Sequence, residues 1–340
     1  MKRVLSVLLL TVLLTGCVAV PEAAERKQYN ATFLELFDTV TTVVGKAESE
    51  EAFMADARQV RDQLKVYHQL FDIYHDYEGI SNLKTVNDSA GIAPVKVDPI
   101  LIEFLLDCKA YYAATEGKVN VAMGAVLHLW HVARNDGIND PANAALPREE
   151  ELKEAAKHCN IEDIVIDEEN ATVFLRDPQM RLDVGAIAKG WAAQKVAQNA
   201  PKELLISVGG NVCAADAKDE FGTPWVIGIE DPDGGSYLHT LNITQNNVVT
   251  SGDYQRVYVV DGKAYHHIID PVTLYPATRW RSVSVVCPDS ADADALSTAL
   301  FLLSREEGER LLAKYDACAM WVDAGGNRFY SPGFEKLIRT

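Results

Sequence analysis

Arg181-Leu-Asp-Val-Gly-Ala-Ile-Ala-Lys-Gly190 reads as a strand that turns into a helix. Leu182 and Val184 alternate with Arg181 and Asp183 as at a strand end, Gly185 permits a tight turn, and Ala186 to Gln198 continue as a small-residue helix. The free N–H groups and positive dipole end of such a helix suit a phosphate or a carboxylate, and Asp183 and Lys189 flank the turn with opposite charges. A structural corner with a solvated Lys189 is the other reading of the same residues.

Upstream, Ile164 to Ile166 and Thr172 to Leu175 form a hairpin around Asp167-Glu-Glu-Asn170 that delivers the chain to this stretch. Before it come a helix opened by Pro147-Arg-Glu-Glu-Glu and ending near His158, and a polar loop from Asn135 to Pro147. Asn120-Val-Ala-Met-Gly124 is a turn of mostly small residues between the apolar helix Pro99 to Ala114 and the apolar run Val126 to Trp130. Such residues let a backbone approach a ligand closely, or let two elements pack. Phe33 to Val44 is strand-like and Glu48 to Leu70 an amphipathic helix, apolar at Phe53, Val60, Leu64 and Tyr67. Tyr74 and Tyr77 follow it beside a polar turn, as core residues or flanking a flat ligand.

Downstream, Glu203 to Asn211 is a buried strand ending in glycines, and successive strands follow at Trp225 to Ile229, Tyr237 to Ile243, Asn247 to Thr250, Gln255 to Val260 and Ala264 to Ile269. Arg281 to Cys287, helices Asp292 to Leu303 and Arg305 to Tyr315, and strands Ala319 to Val322 and Arg328 to Tyr330 complete the chain. Helices and strands alternate without the regular beat of a doubly wound sheet, so an α+β body is expected, with mixed, mainly antiparallel sheets flanked by helices.

The first residues stand apart. Met1-Lys-Arg is positive, Val4 to Leu14 is apolar but too short to span a bilayer, and Leu14-Thr-Gly-Cys17 ends a small-residue cleavage site in cysteine. Residues 1–17 therefore read as a lipoprotein signal with Cys17 as the lipid-bearing residue, 18–30 as a tether, and 31–340 as the folded domain, placed outside the cytoplasm and anchored to a bacterial membrane. Without Lys2 and Arg3, the remaining 30 of 32 basic residues face 49 acidic ones, a net charge of −19. That charge repels nucleic acid, which is excluded as a partner. Cys108, Cys159, Cys213, Cys287 and Cys318 show neither a disulfide framework nor zinc-site spacing.

Two further stretches carry chemistry. On a helix from Ser290 to Leu303, Leu296, Ala299, Leu300 and Leu303 share one face, while Asp294 and Thr298 project from the opposite, solvent side. A carboxylate and a hydroxyl one turn apart, completed by backbone carbonyls and phosphate oxygens, suit Mg²⁺. Asp292 and Asp294 are equally the acids that a first helical turn favours. In Tyr265-His-His-Ile-Ile-Asp-Pro-Val-Thr273, strand alternation sends His266 and His267 to opposite faces, so at most one serves a given site. That imidazole could take a proton from a hydroxyl, or be a histidine bonded within a turn.

Taken in order, Leu182-Asp-Val-Gly-Ala-Ile-Ala-Lys-Gly190, Ser207-Val-Gly-Gly-Asn211, Thr250-Ser-Gly-Asp-Tyr254, His267-Ile-Ile-Asp-Pro271 and Ala293-Asp-Ala-Leu-Ser-Thr298 resemble the ApbE family of FAD:protein FMN transferases, from Phe37-Asp-Thr39 to the last helices. The resemblance implies a Mg²⁺-dependent enzyme that binds FAD, transfers FMN to a Thr or Ser hydroxyl of an acceptor protein and releases AMP. It implies Asp294, Thr298 and the Ala186 carbonyl as Mg²⁺ ligands, and Asp183, Lys189 and the turn Ala122-Met123-Gly124 around FAD. An aromatic near Tyr74 would stack by the flavin, and His267 would be the catalytic base and also border FAD. The implied partner is an extracytoplasmic flavin-accepting redox protein. An FAD pyrophosphatase and a non-catalytic flavin-binding lipoprotein are the alternatives. The family's Asp-Pro-x-Thr-Gly turn here reads Asp270-Pro-Val-Thr-Leu274.

Overall fold

Eight antiparallel strands form one sheet in which spatial order follows chain order: Lys27–Leu36, Thr39–Ala47, Leu204–Val208, Asn211–Ala214, Asn247–Gly252, Trp280–Cys287, Cys318–Asp323 and Arg328–Tyr330. The computed structural model describes residues 26–340, so the signal stretch and Cys17 lie outside the described residues. The first strand pairs Lys27 with Ala47, so residues 27–30, expected in the tether, already belong to the sheet. Apart from a final helical turn at Phe334–Leu337, the other elements are inserted between neighbours of this meander. Between the second and third strands lie helices Glu50–Phe71, Pro99–Ala114, Gly124–Asn139 and Ala188–Asn199, with a small sheet whose strands include Ile164–Asp167 and Thr172–Leu175. Hairpins Trp225–Glu230 with Tyr237–Ile243, and Tyr258–Val260 with Lys263–Tyr265, are later insertions.

Local chemistry explains the turns, and it also explains where the sequence misleads. The single strand expected over Phe33 to Val44 is two, joined at Phe37-Asp38, where both residues take left-handed φ of 54° and 50°. Such a pair matches the twist of a two-residue hairpin but normally advertises itself with Asn or Gly. Gly209-Gly210 makes the corresponding turn with φ of 57° and 89°, returning the chain as Asn211–Ala214, a strand the sequence reading did not separate. Helix Gly124–Asn139 continues through the expected loop at Asn135, because Gly137 lies against the Tyr258 ring: a Cβ there would sit 2.8 Å from Cδ2.

Helix Ser290–Leu302 runs through the middle of the protein, packed on strands Asn247–Gly252 and Trp280–Cys287 and covered by helix Ala188–Asn199. Ala293, Ala295, Leu296, Ala299 and Leu300 are all buried, and so is Asp294, which is only 4% exposed. The expected solvent face therefore does not exist. The helix is small and apolar nearly all round, so it buries both sides. Asp289 caps it, accepting from the Ala291 and Asp292 N–H groups, which leaves Asp294 free of the capping role.

The covering helix approaches closely because of Gly190. A Cβ on Gly190 would lie 2.3 Å from the Ser290 carbonyl oxygen and 2.5 Å from Asp294 Cβ, neither of which can swing away. Gly185, read as the residue that permits the tight turn, would place its Cβ against nothing closer than Asp183 Oδ1 at 3.3 Å. Gly190→Ala is expected to lower the unfolding free energy by about 1–3 kcal/mol, as overpacking does, whereas Gly185→Ala should stay within about 0.5 kcal/mol of the parent. Urea denaturation of the two variants checks this, and equal midpoints would contradict the assignment.

Candidate active site

The stretch 181–190 is held by its neighbours as an almost extended segment before its helix begins. Asp183 N–H donates to the Val121 carbonyl at 2.9 Å and Gly124 N–H to the Arg181 carbonyl at 3.0 Å, so the turn 120–124 and the stretch 181–183 run side by side. Gly124 is required there, since its Cβ would lie 2.4 Å from the Arg181 oxygen. On the other side, the short helix Leu83–Asp88, started by an Asn82 capping box, presents Asn87. The Asn87 side chain accepts from Leu182 N–H at 2.7 Å and donates to the Leu182 carbonyl at 3.1 Å, taking the place of a neighbouring strand. Nothing in the sequence reading singled out this use of Asn87.

Gly190 is the third residue of helix Ala188–Asn199, where a backbone N–H has no acceptor within the helix, and it donates to Asp294 Oδ2 at 2.8 Å. Among the described residues nothing donates to the Ala186 carbonyl. Lys189 Nζ lies 3.9 Å from the same Asp294 oxygen and 3.3 Å from the Gly185 carbonyl. Burial pushes the Asp294 carboxyl above its usual range, against the opposing pull of Lys189, the Gly190 N–H and the Asn211 amide. The Asn211 Nδ2 atom is itself buried without a hydrogen-bond partner.

The two histidines separate as alternation requires, and their hydrogen bonds set their tautomers. His266 accepts from Ile268 N–H at Nδ1, 3.1 Å, so Nε2 carries the proton donated to the Ala277 carbonyl at 2.7 Å, and both nitrogens are engaged structurally. His267 Nδ1 lies 3.2 Å from the Gln255 carbonyl, which can only accept, so Nδ1 is protonated and Nε2 keeps a lone pair. Burial, with Arg256 next and then His266 and Lys189, pushes the His267 pKa down to about 3, so the ring is neutral at neutral pH.

Tyr74, Met123, Asp183, Ala186, Lys189, His267, Asp294 and Thr298 all line one cleft of about 500 Å³. Gly124 borders a neighbouring cavity of about 300 Å³ that shares Tyr74, His131 and Asp183 with the cleft. Ala122 is fully buried and lines neither, so whatever it contributes comes through its backbone. Of the two tyrosines, Tyr74 stands at the cleft, 44% exposed, with its ring stacked on His131 at 5.1 Å. Tyr77 turns away and donates to Asp72 Oδ2 at 2.7 Å. Asn211, His131, Arg134 and Arg256 also line the cleft and were absent from the expected set. The Asp270–Leu274 turn keeps the shape a glycine would give, because Leu274 takes φ of 65° and its carbonyl is anchored by Trp130 Nε1 at 2.9 Å.

Among the described residues no three His, Cys, Asp or Glu side chains gather as a cage for an ion. One carboxylate, one hydroxyl and one free carbonyl fit instead a hard cation whose remaining ligands are water and substrate phosphate. A buried Asp294 carboxyl, whose charge burial disfavours, is the sign of that fit.

An antiparallel α+β scaffold thus brings a carboxylate, a lysine, a neutral histidine and an exposed tyrosine into one cleft. The chain belongs to the ApbE family, whose model matches residues 37–321. It is 37% identical over 69% of its length to an FAD:protein FMN transferase of Treponema pallidum, covering 68% of that protein, and 32% identical over 71% to one of Klebsiella pneumoniae, covering 76%. The crystal structure of the ApbE protein from Thermotoga maritima superposes with a TM-score of 0.81 at 29% identity, covering 92% of this chain and all of that one. A flavin transferase ApbE from Vibrio cholerae shares the fold, with a TM-score of 0.75 at 22% identity over 92% of this chain and all of that one.

The depressed His267 pKa has a consequence for stability. Below the ordinary histidine pKa of about 6.5, the unfolded chain takes up a proton at this position, while the folded chain does so only near 3. Stability contributed here is therefore present above pH 6.5 and lost as pH falls toward 3. The shift in urea midpoint between pH 7 and pH 5 should be smaller in His267→Gln than in the parent; an unchanged shift would show that the ring is not held neutral.

Proposed function

We propose that the chain transfers FMN from FAD to a Thr or Ser hydroxyl of an acceptor protein and releases AMP, with Mg²⁺ bound at the Asp294 end of the cleft. The observation that carries this reading is the convergence of Asp294, the free Ala186 carbonyl, Lys189, Thr298 and a neutral His267 in one cleft. The names of the curated relatives, FAD:protein FMN transferases, support it.

The residues divide the work by chemistry. Asp294, Thr298 and the Ala186 carbonyl would hold Mg²⁺, which when bound neutralises the pyrophosphate of FAD and polarises the phosphorus under attack. Lys189 adds a positive charge beside that end, and Asp183, turned onto the Gly185 N–H at 3.0 Å, borders the nucleotide together with the turn at Met123. Tyr74 offers a flat ring for the flavin. His267 Nε2 takes the proton of the acceptor hydroxyl as its oxygen bonds to the phosphorus of the FMN half; the bond from that phosphorus to the oxygen of the AMP phosphate breaks, and AMP leaves as an anion. Because Nδ1–H is held by the Gln255 carbonyl, the ring stays oriented for this.

Two parts of the reading rest on the sequence alone. The positive start, the short apolar run and Cys17 support a lipid anchor outside the cytoplasm, and a membrane-surface acceptor of redox type is the partner that suits such a placement.

Incubation with FAD, Mg²⁺ and a protein bearing a Thr or Ser acceptor site, followed by acceptor mass, is expected to show gain of one FMN. Free FMN with an unmodified acceptor would replace transfer by hydrolysis. In the absence of FAD, millimolar Mg²⁺ should raise the thermal midpoint of the parent by relieving the buried Asp294 carboxylate, and Asp294→Asn should abolish that rise. A rise that persists in Asp294→Asn would place the ion elsewhere.

A further inference from the structure

The cleft holds two charged groups to which the transfer chemistry assigns no task. Arg134, from helix Gly124–Asn139, and Arg256, just beyond strand Asn247–Gly252, both line it. Among the described residues the ion pairs made by cleft-lining residues are Lys118–Asp270 and Lys189–Asp294, and neither arginine joins an ion pair. Arg134 reaches His131 Nδ1 at 3.0 Å. The acid whose charge it feels, Asp183, is turned onto the Gly185 N–H.

The two guanidiniums are close enough to oppose each other, since burial and then the charge of Arg256 hold Arg134 below the usual arginine range. The Arg256 charge also bears on His131 and on His267, and all three line the same cleft as Tyr74. In a chain of net charge −17, two cleft-lining cations that form no ion pair among the described residues are an electrostatic anomaly. The backbone adds a second. Arg256 sits at φ of 49°, a left-handed conformation disfavoured for an L residue, and strain of this kind persists where a ligand site uses it.

We propose that Arg256, backed by Arg134, binds the phosphate of the flavin half of the nucleotide. A guanidinium fork fits phosphate oxygens in a planar, two-pronged manner. The flavin-half phosphate of FAD carries one negative charge and the monoester phosphate of the probe FMN two, so either offers an anion to guanidiniums that form no ion pair among the described residues. The place beside His267 is where the phosphorus under attack must lie. The identity of the ligand rests on the flavin reading above; the existence of an anion site does not.

The test separates phosphate from ring by titrating the intact chain, in EDTA, with FMN and with riboflavin and following flavin fluorescence. The parent should bind FMN on the order of tenfold more tightly than riboflavin, the gain of one charge-assisted contact. Arg256→Gly should lose most of that preference with riboflavin affinity unchanged and with no fall in thermal midpoint, because glycine is at ease at this φ. Arg256→Lys should keep part of the preference. Equal binding of the two flavins by the parent, or an undiminished preference in Arg256→Gly, would overturn the assignment. The same holds if Arg256→Gly weakens only the acceptor, since the guanidinium then serves the acceptor protein. A preserved FMN preference in a chain that never labels an acceptor would sink the transfer reading and leave this one standing.

Discussion

The hydrogen bond from Gly190 N–H to Asp294 Oδ2 ties the fold to the cleft. It exists because glycine lets one helix lie against the next at a distance that any side chain would forbid, with both Ser290 and Asp294 in the way. It gives one of the unpartnered amides of the helix start an acceptor. And it holds a carboxylate in a place where burial works against its charge. One backbone amide thereby sets the position of a side chain, while before the helix the Ala186 carbonyl is without a donor among the described residues.

Around this contact the electrostatics are graded. Asp294 lies buried with Lys189 near it, while Arg256 and Arg134 stand near the Tyr74–His131 stack with no carboxylate of their own. His267 lies under the influence of both Lys189 and Arg256, and that positive surrounding, added to burial, keeps the ring neutral. His267, with one nitrogen fixed by a carbonyl, keeps a free lone pair at the other, whereas His266, with both nitrogens engaged, is suited only to hold its turn. The adjacent pair thus divides into one structural and one available ring.

Much of this was legible in the sequence, and the remainder was hidden for identifiable reasons. The α+β class, the mainly antiparallel sheets and the helix Pro99–Ala114 followed from periodicity and from proline and glycine punctuation. The gathering of 181–190 with Asp294, Thr298 and His267 was implied by the resemblance that the five short motifs in order carry. The turn at Phe37-Asp38 was hidden because neither residue signals a left-handed conformation. The burial of Asp294 was hidden because helical spacing reports one helix, not what covers it. Asn87 serves Leu182 across 95 positions of sequence, and Arg134 and Arg256 meet only in space. Which glycine is obligatory, Gly190 and not Gly185, depends on the partner helix and could not be read from either motif alone.

The account stands or falls on where a divalent cation sits. Crystals grown with FAD and Mn²⁺, measured at a wavelength where manganese scatters anomalously, give the position without reference to turnover. The account predicts a single strong peak in the cleft within coordination distance of Asp294, the Thr298 hydroxyl and the Ala186 carbonyl. A peak elsewhere, with the Ala186 carbonyl still unligated, would contradict it.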